Sequence, residues 1–451
     1  MKLSTSALHF PVGKNYQLWI NCLSGAIDIV PAGSIKKLST TNLAKLNQRG
    51  YFDVPHGRID ILKKLKKLAD RHSQSTPYWF YVLTTLACNF KCPICYEREK
   101  IGGGRLTTAN LQQIITTIKH LQKRRHIKNQ RIFLVIFGGE PLCLPNSAIL
   151  EGIFKEALRN HWKCIIVSNG SLVNHHVKVL KKYQKVIADF RITIDGPKKI
   201  HNSRRPYQNS RGSFDDVVVA VELLLKNKFS VKCQTILGAG NIAYLKNIVK
   251  VFQKKKWLSN KYFSWRVEGS HDYANLDPKK DEVSEAKMVK QLIDLVQTYP
   301  ILRDKMKFES FKYLSHIVSS FGWLGEYKTY WGPRFNFCDP QRGFHYVFST
   351  DGAVYHCPRT INNRFYKLGR AGKFLRAPNW RNKNILVKSK CRACPLNTLC
   401  GGGCLVQKRY QSNFNCQKYV LRLIQEFVVL MSKPILNLVK DNEVVSINKP
   451  W

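Results

Sequence analysis

Between Tyr78 and about Gly269 the apolar positions follow two alternating periods. Short runs rich in β-branched and aromatic residues give way to longer stretches with apolar residues at helical spacing. The runs "YWFYVLTTLA", "RIFLVIF", "KCIIVSN", "VIADFRITI", "SVKCQTIL" and "KYFSWRVEG" read as strands. Between them "TTANLQQIITTIKHL", "AILEGIFKEALRN", "LVNHHVKVLKKY", "FDDVVVAVELLLKN" and "AYLKNIVKVFQKK" read as helices, the first with Thr107 or Thr108 as N-cap. This alternation predicts a parallel α/β fold, an open sheet or a partial barrel. In such a sheet functional residues gather where strands end, and the marked stretches fall there: Cys88, Gly138 to Glu140, Ser168 to Gly170, and Ile194 to Gly196.

The flanks follow other patterns. Residues 1–75 predict a small module: a hairpin from the β-prone runs of "YQLWINCLSGAIDIV", then helices in "NLAKLNQRGYF" and "IDILKKLKKLAD", with Gly50 ending the first. The α/β core takes 76–280, and 281–331 reads as a helical linker. Residues 332–417 are loop-rich and hold seven cysteines, which predicts a segment needing metal or other staples to pack. Residues 418–451 read as a last helix, "YVLRLIQEFVVLM", and a polar tail.

Composition narrows the classes. The N-terminal stretch has no continuous apolar run of the signal-peptide kind, and "FVVLMSKPILNLV" is broken by Lys433 and Pro434. A cytoplasmic protein without membrane attachment is expected. In that compartment the fourteen cysteines are thiols or metal ligands rather than disulfides. Cys22, Cys143, Cys164 and Cys233 lie scattered and read as small buried hydrophobes. The formal charge of +45 favours an acidic partner such as nucleic acid, an acidic peptide or a membrane surface. The basic residues are spread along the whole length, with no Arg-rich tail, so solvated helix faces explain them equally well.

The chemistry lies in two cysteine clusters. In "CNFKCPICYE" three cysteines stand at x3 and x2 spacing. Four thiolates close an iron–sulfur cubane, whereas three leave one iron open to a ligand. A zinc site with a distant fourth ligand, or three buried thiols, accounts for the spacing too. The second cluster is Cys338, Cys357, Cys391, Cys394, Cys400, Cys404 and Cys416, for which a zinc ribbon is the alternative.

Cys88, Cys92, Cys95 and the following Tyr96 resemble the CxxxCxxC motif of radical S-adenosylmethionine (radical SAM) enzymes, whose fold is a partial (β/α)6 barrel. There the open iron chelates S-adenosylmethionine, and reduction of the [4Fe-4S] cluster releases a 5′-deoxyadenosyl radical. Other motifs follow in the family's order. Gly138, Gly139 and Glu140 match the "GGE" element that meets the methionine amino group, and Ser168 and Asn169 resemble the ribose-side element. "ITIDGPKKIHNSRRPY" resembles a segment that gives Asp195 and Arg205 cofactor-site roles, with Thr193 and Asn202 departing from the usual Ser and Asp. No catalytic residue beyond the cluster ligands is assigned.

The downstream cysteines resemble the SPASM extension, which holds two auxiliary iron–sulfur clusters. The resemblance gives Cys391, Cys394, Cys400 and Cys416 to one cluster and Cys338, Cys357 and Cys404 to the other. That second site lacks an evident fourth ligand: Gly332 stands where some relatives have cysteine, and Cys143 is the candidate substitute. An alternative is that a substrate thiolate fills the vacancy, which would make the product a thioether, with a carbon–carbon crosslink as competitor.

Residues 1–75 resemble winged-helix-like leader-recognition modules, in which a precursor's leader adds as a strand, here within Tyr16 to Val30. The resemblance implies an enzyme that oxidatively modifies or crosslinks a ribosomally made precursor peptide, served by a flavodoxin- or ferredoxin-type reductant. Alternatives are an anaerobic sulfatase-maturing enzyme, against which Pro358 replaces the aspartate expected after Cys357, an RNA-modifying radical enzyme, and a zinc scaffold.

Overall fold

The computed structural model describes residues 2–33, 35–52, 58–73, 76–95, 104–269, 283–308, 311, 313–324, 332–376, 384–404, 406, 415–439 and 443–451. The six predicted strands are present as β4 (Tyr78–Thr85), β5 (Ile132–Gly138), β6 (Lys163–Ser168), β7 (Ile187–Thr193), β8 (Val231–Leu237) and β9 (Phe263–Gly269). Each pairs with the next in parallel, in sequence order. Their crossovers carry α3 (Thr108–Arg124), α4 (Ser147–Arg159), α5 (Val173–Lys182), α6 (Lys198–Arg204), α7 (Phe214–Lys226) and α8 (Leu245–Lys254). Thr107 caps α3, its hydroxyl accepting from the Asn110 N–H at 3.1 Å. One face of each strand packs on these helices: Phe80, Val82, Leu134, Ile136, Ile166, Phe190 and Ile192 join Ile114, Ile118, Ile153 and Val221 in the main core. The other face looks into the barrel.

Part of the basic charge has a local explanation. α3, α4, α5, α7 and α8 all carry Lys or Arg in the last turn, where a cation complements the helix macrodipole. These helix ends lie opposite the mouth, so this part of the charge sits away from the site.

The sheet continues past the six strands on both sides. β10 (Met306–Phe308) pairs in parallel with β9, so the stretch read as a helical linker contains a strand besides its helices, α9 (Glu285–Thr298) among them. On the other side β11 (His345–Phe348) runs parallel to β4, followed by antiparallel β12 (Ala353–Tyr355) and β13 (Gly369–Arg370). The cysteine-rich region thus shares one ten-stranded sheet with the core. It also buries its own apolar residues, including Phe335, Val347, Phe348, Tyr355, Ile361, Tyr366 and Leu399. Besides any staples its cysteines supply, the sheet edge gives it a packing partner that local composition does not reveal.

The N-terminal residues form β1 (Ala7–Val12), β2 (Tyr16–Asn21), β3 (Ile27–Pro31), α1 (Thr40–Gln48) and α2 (Arg58–Ser73). The three strands are an antiparallel meander, and a fourth, β14 (Val445–Ser446), pairs with β3. Within the predicted docking range Tyr16 to Val30, only β3 lies next to an edge of the three-stranded meander. β2 is internal, and the edge at β3 is covered by the chain's own residues. Among the described residues no helix is long and apolar enough to cross a membrane.

Candidate active site

The loop after β4 carries Cys88, Cys92 and Cys95, and it is fixed on three sides by main-chain and amide contacts. Asn89 bonds Asn169 and Ser171 at the end of β6, at 2.8 and 2.9 Å. Gln208 donates its side-chain amide to the carbonyls of Cys88 and Phe90, at 3.2 and 3.0 Å, and the Lys91 N–H reaches the Pro206 carbonyl at 2.9 Å. The Cys95 N–H closes a turn on the Cys92 carbonyl. Neither Asn89 nor Gln208 was singled out in the sequence. Asn89 lay inside the cysteine motif as a readable signal, while Gln208 meets the loop only through the fold.

Gly138 and Gly139 are required by the protein's own backbone. Gly138 has φ +142°, and a Cβ there would lie 2.2 Å from the Thr85 carbonyl oxygen. A Cβ at Gly139 would lie 2.2 Å from the Ala87 oxygen. The chain leaving β5 thus runs against the residues leading to Cys88, with Gly139 N–H to Thr85 O at 2.9 Å and Glu140 N–H to Ala87 O at 2.8 Å.

The Glu140 side chain is held by donors of the protein itself. It is fully buried, with Oε1 accepting from the Ser168 hydroxyl (2.7 Å) and the Leu142 N–H (3.0 Å), and Oε2 from the Asn169 N–H (2.7 Å). All its contacts are internal, so it braces the β5 and β6 termini. Burial pushes its carboxyl up to about 7, against the three donors, which favour the ionised form. Glu140→Gln preserves the shape but must place an N–H₂ group against a backbone donor. The expected result is a loss of about 2 kcal/mol, read as a lower denaturation midpoint, with slower S-adenosylmethionine cleavage from a displaced Ser168–Asn169 turn.

Asp195, just past β7, is also fully buried and gathers a second group. Its Oδ2 lies 2.7 Å from Arg205 Nε and 3.7 Å from Arg204 Nε, and Oδ1 accepts from the Ile236 N–H at 2.8 Å. Arg205 in turn reaches Cys92 Sγ at 3.9 Å. His201 supports this turn: its ring bonds the Asp195 N–H and the Ser213 hydroxyl, and burial lowers it to about 4, leaving it neutral. Asn202, where the family carries Asp, accepts from the Phe214 N–H at the start of α7, a capping contact. Thr193 closes β7. Tyr96 lies outside the described residues.

The triplet, Gly138–Glu140, Ser168–Asn169 and the Asp195–Arg205 pair therefore meet at one mouth, the C-terminal ends of β4 to β7. Burial raises the Cys88 thiol to about 12 and raises Cys92 as well, so only a bound cation makes these thiolates favourable. Among the described residues no group of three or more Cys, His, Asp or Glu side chains converges as a single ion requires. A cubane spaces its thiolates more widely, since each binds a different iron. Cys143 sits on the same side, in a turn onto the Glu140 carbonyl, and burial raises it to about 11.

The second cysteine group is folded by glycines. Gly401 is left-handed, and a Cβ there would meet the Asn336 carbonyl at 2.6 Å. Gln341 also spans the two segments, from the Phe337 N–H to the Gly403 carbonyl. These contacts bring Cys338 to the Cys400–Cys404 turn. Gly402 places its Cβ direction 3.9 Å from Cys391 Sγ, and Cys394 turns back on Cys391. Cys357 follows β12, and Cys404 packs on the apolar cluster of Leu83, Leu86, Phe137 and Tyr355 at the barrel's inner face. Cys416 opens the helix Cys416–Leu430.

Comparison with known proteins agrees with this geometry. Residues 82–250 match the radical SAM superfamily. This protein is an enzyme with a radical SAM domain. Cysteine-type anaerobic sulfatase-maturating enzymes resemble it at low identity. That of Clostridium perfringens is 21% identical over 362 residues, 74% of this chain and 91% of that protein. That of Clostridium novyi is 23% identical over 351 residues, 72% and 87%. The solved structure of anSMEcpe with bound AdoMet has TM-score 0.60 at 18% identity, covering 80% of this chain and 98% of its own. Streptococcus suis SuiB bound to S-adenosylmethionine has TM-score 0.55 at 14% identity, covering 91% and 97%. A radical SAM domain works with S-adenosylmethionine and a [4Fe-4S] cluster.

Proposed function

We propose that this radical SAM enzyme oxidatively modifies a ribosomally made precursor peptide, docked through the N-terminal module and presented to the barrel mouth. The observation that carries the reading is the antiparallel meander whose β3 already takes up an added strand, residues 445–446, beside a barrel whose mouth gathers the S-adenosylmethionine motifs. SuiB, also solved bound to its precursor peptide SuiA at TM-score 0.52, supports it by a fold that covers 91% of this chain. When bound, the reduced cluster and S-adenosylmethionine supply a carbon radical able to take a substrate hydrogen atom.

In this reading Cys88, Cys92 and Cys95 hold the cluster. Arg205, oriented by Asp195, offers a cation to the cofactor's carboxylate, and the backbone at Gly138 and Gly139 lies beside its amino group. Ser168 and Asn169 shape the ribose side and are themselves fixed by Glu140. Cys391, Cys394, Cys400 and Cys416 hold one auxiliary cluster, and Cys338, Cys357 and Cys404 the other. Auxiliary clusters held by these cysteines would offer a sink for the second electron as the second hydrogen leaves as a proton, and a flavodoxin- or ferredoxin-type reductant would supply the electron that cleaves S-adenosylmethionine. The substrate loses two hydrogen atoms and gains a crosslink, a thioether where its own cysteine takes part.

The sulfatase-maturing alternative draws support from the curated relatives. Against it stands Pro358, which opens a helical turn directly after Cys357 and offers no base. Removing residues 2–75 tests the choice. The peptide reading expects a rise in KM for the precursor of tenfold or more, with uncoupled cleavage of S-adenosylmethionine nearly unchanged. Equal turnover of the precursor by the truncated enzyme refutes the module's role.

A further inference from the structure

The sheet of the N-terminal module has two unlike edges. β1 carries Pro11, which lacks an N–H, and the helices Cys416–Leu430 and Ser432–Leu436 pack along it. The β3 edge instead holds residues 444–451 in the manner of an added peptide. Val445 and Ser446 pair with Ile29 and Asp28, the Ile447 N–H reaches the Ile27 carbonyl, and the Trp451 N–H reaches the Ser24 carbonyl, both at 2.9 Å.

Three side chains set the register. Val444 is buried among Trp19, Ala26, Val30, Leu46, Tyr51 and Phe52. Asn448 Oδ1 accepts from the Ile27 N–H (2.9 Å) and Arg49 (3.2 Å), while its Nδ2 donates to the Gly25 carbonyl (2.8 Å). The Trp451 indole covers Gly25, where any Cβ would lie 2.4 Å from the ring, and donates to the Leu23 carbonyl at 2.9 Å. Yet the ladder spans two residues of a five-residue strand, and of the segment only Val444 is buried. A longer extended peptide can make every one of these contacts and pair further along β3.

We infer that the β3 edge is the peptide-docking edge and that residues 444–451 are its resident occupant, which an incoming peptide displaces. The inference rests on the peptide reading above and adds its recognition chemistry: an aliphatic residue, an Asn four positions later, and an aromatic three beyond that. The resident segment sets a threshold, since a peptide must compete with a strand tethered to the same chain.

The test uses a fluorescein-labelled peptide of residues 443–451, EVVSINKPW, and anisotropy. The chain truncated after residue 442 is expected to bind it saturably, and the full chain at least tenfold more weakly. An unlabelled peptide with alanine at the Asn448 and Trp451 positions should compete at least tenfold less well. If truncation harms folding, seen as lost S-adenosylmethionine cleavage, the full chain carrying Asn448→Ala and Trp451→Ala replaces it and should bind the probe more tightly than the unaltered chain. Equal binding by altered and unaltered chains, or no binding by either, overturns the inference. This readout involves no turnover, so it stands or falls apart from whether a precursor is modified.

Discussion

Alanine at Cys88, Cys92 or Cys95 is expected to abolish formation of 5′-deoxyadenosine from S-adenosylmethionine under dithionite, while the spectroscopic signals of the auxiliary clusters persist. The three thiols lie on one loop, clamped by Asn89, Gln208 and the 206–208 backbone, so losing one leaves the others in place. Three ligands leave one iron open, and two do not hold the cubane. The effect is therefore close to complete rather than graded. Alanine at Cys391 or Cys394 should leave this cleavage largely intact and remove an auxiliary signal instead. Undiminished 5′-deoxyadenosine from the triple variant would show that the first loop is not the cofactor's anchor.

Asp195→Ala is expected to have the largest effect outside the cysteines. Asp195 is the fully buried counter-charge of Arg205 and lies 3.7 Å from Arg204, whose side chains are 17% and 7% exposed. Removing it strands buried positive charge, which costs about 3–5 kcal/mol. It also frees Arg205 from the direction that sets it 3.9 Å from Cys92. Two readouts should move together: the denaturation midpoint falls, and affinity for S-adenosylmethionine drops. Combining Asp195→Ala with Arg205→Ala should recover part of the stability but not the affinity. Recovery of both would make the pair purely structural.

The sequence made some of this legible because the information was local. Long strands with β-branched runs, and α3 with its Thr107 cap, declare themselves by period and cap chemistry. β10, β12, β13 and β14 are two or three residues long, too short for any periodicity. They exist because a distant strand offers an edge, and that is why the sequence shows the cysteine-rich region as a separate segment. The site divides in the same way. Cysteine spacing and the glycines at 138 and 139 stand in the sequence, but the reason for the glycines, contact with Thr85 and Ala87, arises only when β4 and β5 are side by side. Glu140 stands in the motif, but its donors Ser168, Leu142 and Asn169 do not, since a sequence does not show what will surround a buried carboxylate. The covered β3 edge was missed because its occupant lies more than four hundred residues away.

The central claim is that radical chemistry at this mouth is directed to a peptide. Its most direct test is mass spectrometry of the peptide encoded by the small open reading frame beside this gene, incubated anaerobically with reconstituted enzyme, S-adenosylmethionine and reductant. The account predicts loss of two hydrogen atoms per crosslink, one 5′-deoxyadenosine for each, and no change when Cys88 is alanine. Formation of 5′-deoxyadenosine with the peptide mass unchanged, while a sulfatase-derived Cys peptide is oxidised instead, would contradict it.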